Sequence, residues 1–142
     1  MEELRKMLTV EEIRERLAPL FQEKDLRLIL LFGSTLTGAA HKKSDIDLAL
    51  LFDGPVDILA ITNRVIRLLH CDNVDVIDLN RASPLLRFSA VQKGRLLYEK
   101  SPGVFNEFCS LAFRMYVDSK KLRDGHAEVI KGFLQTRAGI TR

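Results

Sequence analysis

Apolar residues recur at helical spacing from the start of the folded region. Val10, Ile13, Leu17, Leu20 and Phe21 form one face, and Glu11, Arg14, Glu15 and Arg16 form the other. Thr9, followed three residues later by Glu12, is a capping box that predicts where this helix begins. Pro19 lacks a backbone donor and predicts a kink or stop. The rhythm then changes. Leu26 to Phe32 is an apolar run bounded by Gly33, as expected of a strand buried on both faces. Residues 35 to 43 are small and polar, and a second strand is predicted over Asp45 to Phe52.

Gly54-Pro55 punctuates the chain and places Pro55 for the first turn of a helix. Ile58, Leu59, Ile61, Val65, Ile66, Leu68 and Leu69 make that helix apolar enough to predict deep burial. Val74 to Leu79 reads as a third strand. Ser83-Pro84 opens a further helix that ends near Gly94, and Arg95 to Glu99 predicts a short last strand. Beyond Pro102, Val104, Phe105, Phe108, Leu111, Ala112, Met115 and Tyr116 mark a longer amphipathic helix. From Gly125 the periodicity weakens, which predicts a frayed helix or a flexible tail. The expected organisation is therefore one domain over residues 1–124 and a tail over 125–142, flexible or partner-binding. Alternating helices and strands predict an α/β fold with a small central sheet. Only about ten residues join the first two strands, too few for the usual parallel crossover, so the sheet is expected to be mixed.

Composition narrows the class without naming a function. The 142 residues are 46% hydrophobic and 29% charged, ordinary for a globular domain. The run Leu28 to Phe32 falls far short of the roughly 20 residues that span a bilayer, so no membrane association is expected. The charged start, Met1-Glu2-Glu3-Leu4-Arg5-Lys6, has no apolar stretch of a signal peptide, which predicts a cytoplasmic protein. Cys71 and Cys109 have no paired spacing and are expected to be reduced thiols. A net charge of +3 is only mildly basic, and direct nucleic-acid binding is not expected.

The chemistry gathers around two strand edges. Gly33-Ser34 ends the first strand, and Asp45 and Asp47 begin the second. Strand side chains alternate, so Asp45 and Asp47 are expected on one face, separated by roughly 6–7 Å of strand rise. Paired carboxylates repel unless a cation joins them. Mg²⁺ suits them, because it takes oxygen ligands and shares its sphere with substrate phosphates. Asp75 on the next strand would complete a cluster able to hold two ions, with Asp72 and Asp78 nearby as alternatives for that third acid. Without a Cβ, Gly33 lets phosphate oxygens approach the main chain, and Ser34 adds a hydroxyl donor.

Gly33-Ser34, ten residues, then Asp45-Ile46-Asp47 resembles the G-S-x10-D-x-D signature of the DNA polymerase β-like nucleotidyltransferase superfamily. Val74-Asp75-Val76 is similar to the strand bearing that superfamily's third carboxylate. The short chain is similar to the minimal nucleotidyltransferases paired with HEPN-domain toxins. The likeness covers roughly Leu26 to Leu79. It implies the polymerase β-like palm fold and attack of a hydroxyl on the α-phosphate of ATP, with release of pyrophosphate. It also implies Asp45, Asp47 and Asp75 as catalytic metal ligands, with Gly33 and Ser34 holding the nucleotide. The antitoxin branch implies a HEPN ribonuclease toxin as partner, AMP-modified on a tyrosine hydroxyl and so blocked. Two other outcomes stay open: an antitoxin that acts by binding alone, or a transferase for a small molecule such as an aminoglycoside.

Other residues carry weaker signals. Lys42, Lys43, Arg81 and Arg87 are placed to meet phosphates, although basic loop residues are commonly just solvated. His41, His70 and His126 lack metal-ligand spacing and read as surface or boundary residues. Asp78 falls on the opposite strand face from Asp75 and reads as a cap or surface charge. Phe105, Phe108 and Met115 read chiefly as core, with their helix and the tail as the surface for a partner or a second copy.

Overall fold

The capping box forms as the sequence predicts. The Glu12 backbone N–H donates to the Thr9 hydroxyl at 3.1 Å, and the Thr9 N–H donates to the Glu12 carboxylate at 2.8 Å. Two otherwise orphaned donors are thereby satisfied at the start of α1 (Val10–Leu17). Pro19 then falls in the first turn of a 3₁₀ helix, Ala18–Gln22, where its missing donor costs little. The computed structural model describes residues 8–32 and 46–138, with side chains to residue 124 except at 121 and 123.

Four strands follow: β1 (Leu26–Phe32), β2 (Ile46–Phe52), β3 (Val74–Asp78) and β4 (Arg95–Glu99), in the sheet order β3-β2-β1-β4. β1 is antiparallel to both β2 and β4, whereas β2 and β3 are parallel. The sheet is thus mixed, as the sequence predicts. Three further helices complete the fold: α2 (Ile58–Leu69), α3 (Pro84–Lys93) and α4 (Val104–Ala138).

Helices cover both faces of the sheet, which is why β1 is apolar almost throughout. On one face Ile13 and Leu17 of α1 and Val65 and Leu69 of α2 pack on Ile29, Leu31, Leu48 and Leu50. On the other, Ala90 of α3 and Phe108 and Ala112 of α4 pack with Leu28, Leu30 and Ala49. A bulge at Arg27 lets neighbouring leucines of similar spacing serve different layers. Leu26 pairs with Phe52 while Leu28 pairs with Leu51, so Leu26 joins the α1 layer and Leu28 the α3 layer. Each of these fully buried leucines contributes roughly 1.5–3 kcal/mol of transfer free energy.

Some expectations change. α2 begins at Ile58, capped by the Asp57 carboxylate, which accepts from the Ala60 N–H at 3.2 Å. A carboxylate caps more effectively than the proline two residues earlier, so Pro55 lies before the helix and not in its first turn. Nor is α2 deeply buried: only Val65 and Leu69 are, and Leu59 is 67% exposed. Its apolar residues outnumber the positions that face the sheet. The stretch from residue 125 continues α4 without a break to Ala138. Among the described residues no helix is long and apolar enough to cross a membrane, and Cys71 and Cys109 are free thiols.

Candidate active site

Asp47 and Asp75 stand side by side. They are register partners on the parallel strands β2 and β3, whose spacing is about 4.8 Å. The Ile46 N–H donates to the Asn73 carbonyl at 2.8 Å and ties the two strand starts together. Alternation puts Asp47 on the same side as Ala49 and Leu51, and Asp75 on the same side as Ile77. Both carboxylates therefore belong to the face covered further along by α3 and α4. Asp47 is half-buried and Asp75 is exposed.

Two like charges at this separation repel by about 1 kcal/mol in water and by several-fold more as the local dielectric falls. Asp75 makes no hydrogen bond or ion pair with any described residue. Acceptor-only oxygens aligned on one face suit a hard divalent cation. That donor chemistry fits Mg²⁺, although among the described residues no set of three ligands converges.

Across β1, the register partner of Asp47 is Phe32, the residue after which Gly33 and Ser34 follow in sequence. Gly33, Ser34, His41, Lys42, Lys43 and Asp45 lie outside the described residues. The His126 side chain does too.

The alternative third acids sit at the two ends of β3. Asp72 precedes β3, and Asp78 closes it at the far end, where its carboxylate accepts from the Asn80 N–H at 3.0 Å. Asp78 is thus a turn cap, as expected. Arg87 is used at that far end too. It donates to the carbonyls of Asn80 at 3.1 Å and Ala82 at 3.3 Å and lies 5.9 Å over the Phe108 ring. It holds the β3–α3 loop against α4, at the opposite end of the sheet from Asp47. Arg81 is exposed on the same loop, and His70 is the exposed left-handed cap of α2. One basic residue that no local signal marks, Lys93, comes to the Asp47 end of the sheet. Only the strand order brings it there.

Residues 15–103 match the family model described as polymerase beta, nucleotidyltransferase. The chain belongs to the polymerase β nucleotidyltransferase family. Among its relatives is the protein adenylyltransferase MntA of Aphanizomenon flos-aquae, 29% identical over 92% of this chain and 95% of that protein. The protein adenylyltransferase MntA of Shewanella oneidensis is 38% identical over 51% of this chain and 54% of that protein. A toxin–antitoxin crystal structure with AMP-PNP aligns at a TM-score of 0.72 and 27% identity, over 87% of this chain and 98% of that one. A complex of tri-AMPylated Shewanella oneidensis HEPN toxin with an MNT antitoxin aligns at 0.66 and 25% identity, over 92% and 98%. Asp47 and Asp75 both fall within the region that the nucleotidyltransferase family model matches.

Proposed function

We propose that this nucleotidyltransferase moves AMP from ATP onto a hydroxyl of a HEPN-type toxin and so acts as its antitoxin. The observation that carries the reading is the register pair Asp47–Asp75 at the open end of a nucleotidyltransferase sheet. Likeness across almost the full length to chains from toxin–antitoxin complexes, one with AMP-PNP and one with AMPylated toxin, supports the substrate and the partner.

Asp45, Asp47 and Asp75 would hold Mg²⁺, with Gly33 and Ser34 against the nucleotide phosphates. Bound there, Mg²⁺ supplies charge neutralisation for the phosphates and lowers the pKa of the attacking hydroxyl. In the transfer, the acceptor oxygen forms a bond to the α-phosphorus while the bond to the bridging oxygen breaks and pyrophosphate departs. The hydroxyl proton would pass to a carboxylate, and the exposure of Asp75 on the edge strand supports it as the acceptor of that proton from a partner approaching the β3 edge.

Partner binding falls to α4. Its Leu111, Phe113, Val117 and Leu122 are 42%, 55%, 37% and 65% exposed, more apolar surface than a solvated helix needs. On this reading residues 1–124 carry the transferase and 125–142 extend the partner-facing surface.

Intact-mass spectrometry of the co-expressed HEPN partner, after incubation with ATP and Mg²⁺, tests the proposal. A gain of one or more AMP units that disappears in Asp47→Asn is expected. An unmodified partner held in a tight complex would instead establish neutralisation by binding alone.

A further inference from the structure

We propose that Lys93 is a nucleotide-binding residue that contacts the terminal phosphates of the ATP and stabilises the departing pyrophosphate. The inference rests on the nucleotidyl-transfer reading above and assigns a direction to the substrate within it.

The sheet order fixes that direction. Asp75 lies on the edge strand β3, Asp47 on β2 beside it, then β1, then β4. Attack and departure are collinear at phosphorus. An acceptor arriving over the exposed β3 edge, where Asp75 takes its proton, drives the leaving group the opposite way, towards β1 and β4.

The α3–β4 junction waits on that side. α3 runs back along the sheet from the far end, and its Ala90 packs in one layer with Leu30 of β1. Gly94 brings the helix end down onto the sheet. A Cβ there would lie 3.5 Å from the Leu30 Cβ and would collide with the Ala90 carbonyl oxygen. β4 then starts at Arg95, which pairs with Leu31. Lys93, the last residue of α3, is therefore delivered to the β1–β4 side of this sheet end, on the face that α3 covers and one to two strand spacings, about 5–10 Å measured along the sheet, from Asp47. A four-carbon stem and the length of a triphosphate bridge that gap.

Lys93 is exposed, and among the described residues it makes no hydrogen bond or ion pair. Its neighbour Arg95 does not compete for the role. Arg95 shares the Leu31 side of the sheet and sits close enough to Glu11 of α1 to help lower that carboxyl's pKa. A lysine ammonium is a compact point charge suited to phosphate, and here it would face the charge that develops on the leaving oxygens.

Equilibrium binding of ATP and of AMP to the purified chain with Mg²⁺, by calorimetry, tests the contact, because AMP lacks the phosphates in question. Lys93→Ala should weaken ATP binding by about tenfold, the usual size of a charge-assisted contact, and leave AMP binding unchanged. Lys93→Arg, which keeps the charge, should recover most of the loss. Unchanged ATP affinity in Lys93→Ala would overturn the inference. An equal loss for both nucleotides would too, since that marks Lys93 as support for the helix end. Wild-type protein that binds neither nucleotide would overturn the nucleotidyl-transfer reading itself, and this contact with it.

Discussion

The two ends of the parallel pair β2–β3 carry similar residues and use them in opposite ways. At the far end Asp78, Asn80 and Arg87 are occupied with the protein's own backbone. Asp78 caps the turn at Asn80, the Asn80 amide donates to the Phe52 carbonyl at 2.7 Å, and Arg87 spans two loop carbonyls. At the near end Asp47 and Asp75 are stacked in register as like charges, and Asp75 has no partner among the described residues. Asp75 and Asp78 are only three residues apart on one strand. One closes the fold; the other makes no hydrogen bond or ion pair among the described residues. A carboxylate aligned with another carboxylate is a poor choice for stability and a good one for binding a cation.

The contrast breaks first if Asp75 and Asp78 are exchanged in role. Asp75→Asn should cost about 10²- to 10⁴-fold in AMP transfer with little change in melting temperature. Asp78→Asn should leave transfer within a few-fold of wild type. Radiolabel incorporation into the partner, measured beside thermal denaturation, decides the matter. Equal activity losses in both variants would erase the distinction between the two ends.

Next in size is the helix end that closes over the near end of the sheet. Gly94→Ala forces a methyl into the Ala90 carbonyl and should destabilise the fold by about 1–3 kcal/mol, read from urea denaturation. The far end should respond more gently. Asn80→Ala removes the donor to the Phe52 carbonyl and should lower stability by about 1 kcal/mol while transfer persists.

The smallest effect lies in the pair Glu11–Arg14, on the helix layer of the opposite sheet face. The Arg14 guanidinium, bonded to Glu11 at 2.7 Å, holds that carboxyl below its ordinary value. Its contribution is present above the unfolded-state value and fades as pH falls through the lowered one. Glu11→Gln should therefore shift the melting temperature only slightly near neutral pH, and not at all in acid.

Local signals were legible in the chain itself. The Thr9–Glu12 capping box, the Ser83 cap of α3 and the doubly buried β1 all formed where pattern and propensity put them. So did the mixed sheet, which the shortness of the link between β1 and β2 suggests. The Gly33-Ser34 to Asp47 spacing marked the family, because those residues flank adjacent strand ends and their separation in sequence is set by one short link. Asp75 could be nominated beside Asp72 and Asp78, but choosing among three acids in seven residues needs the register of β3.

What only the tertiary structure decided is what depends on non-local pairing. Parallel alignment of β2 with β3, and not any local preference, sets Asp75 opposite Asp47 and sends Asp78 to the other end. The burial of α2 was overestimated because periodicity counts apolar residues and not the width of the surface they meet. Lys93 was invisible for the same reason. It lies forty-six positions after Asp47, and only the order β3-β2-β1-β4, with α3 folded back over β1, brings both to one end of the sheet.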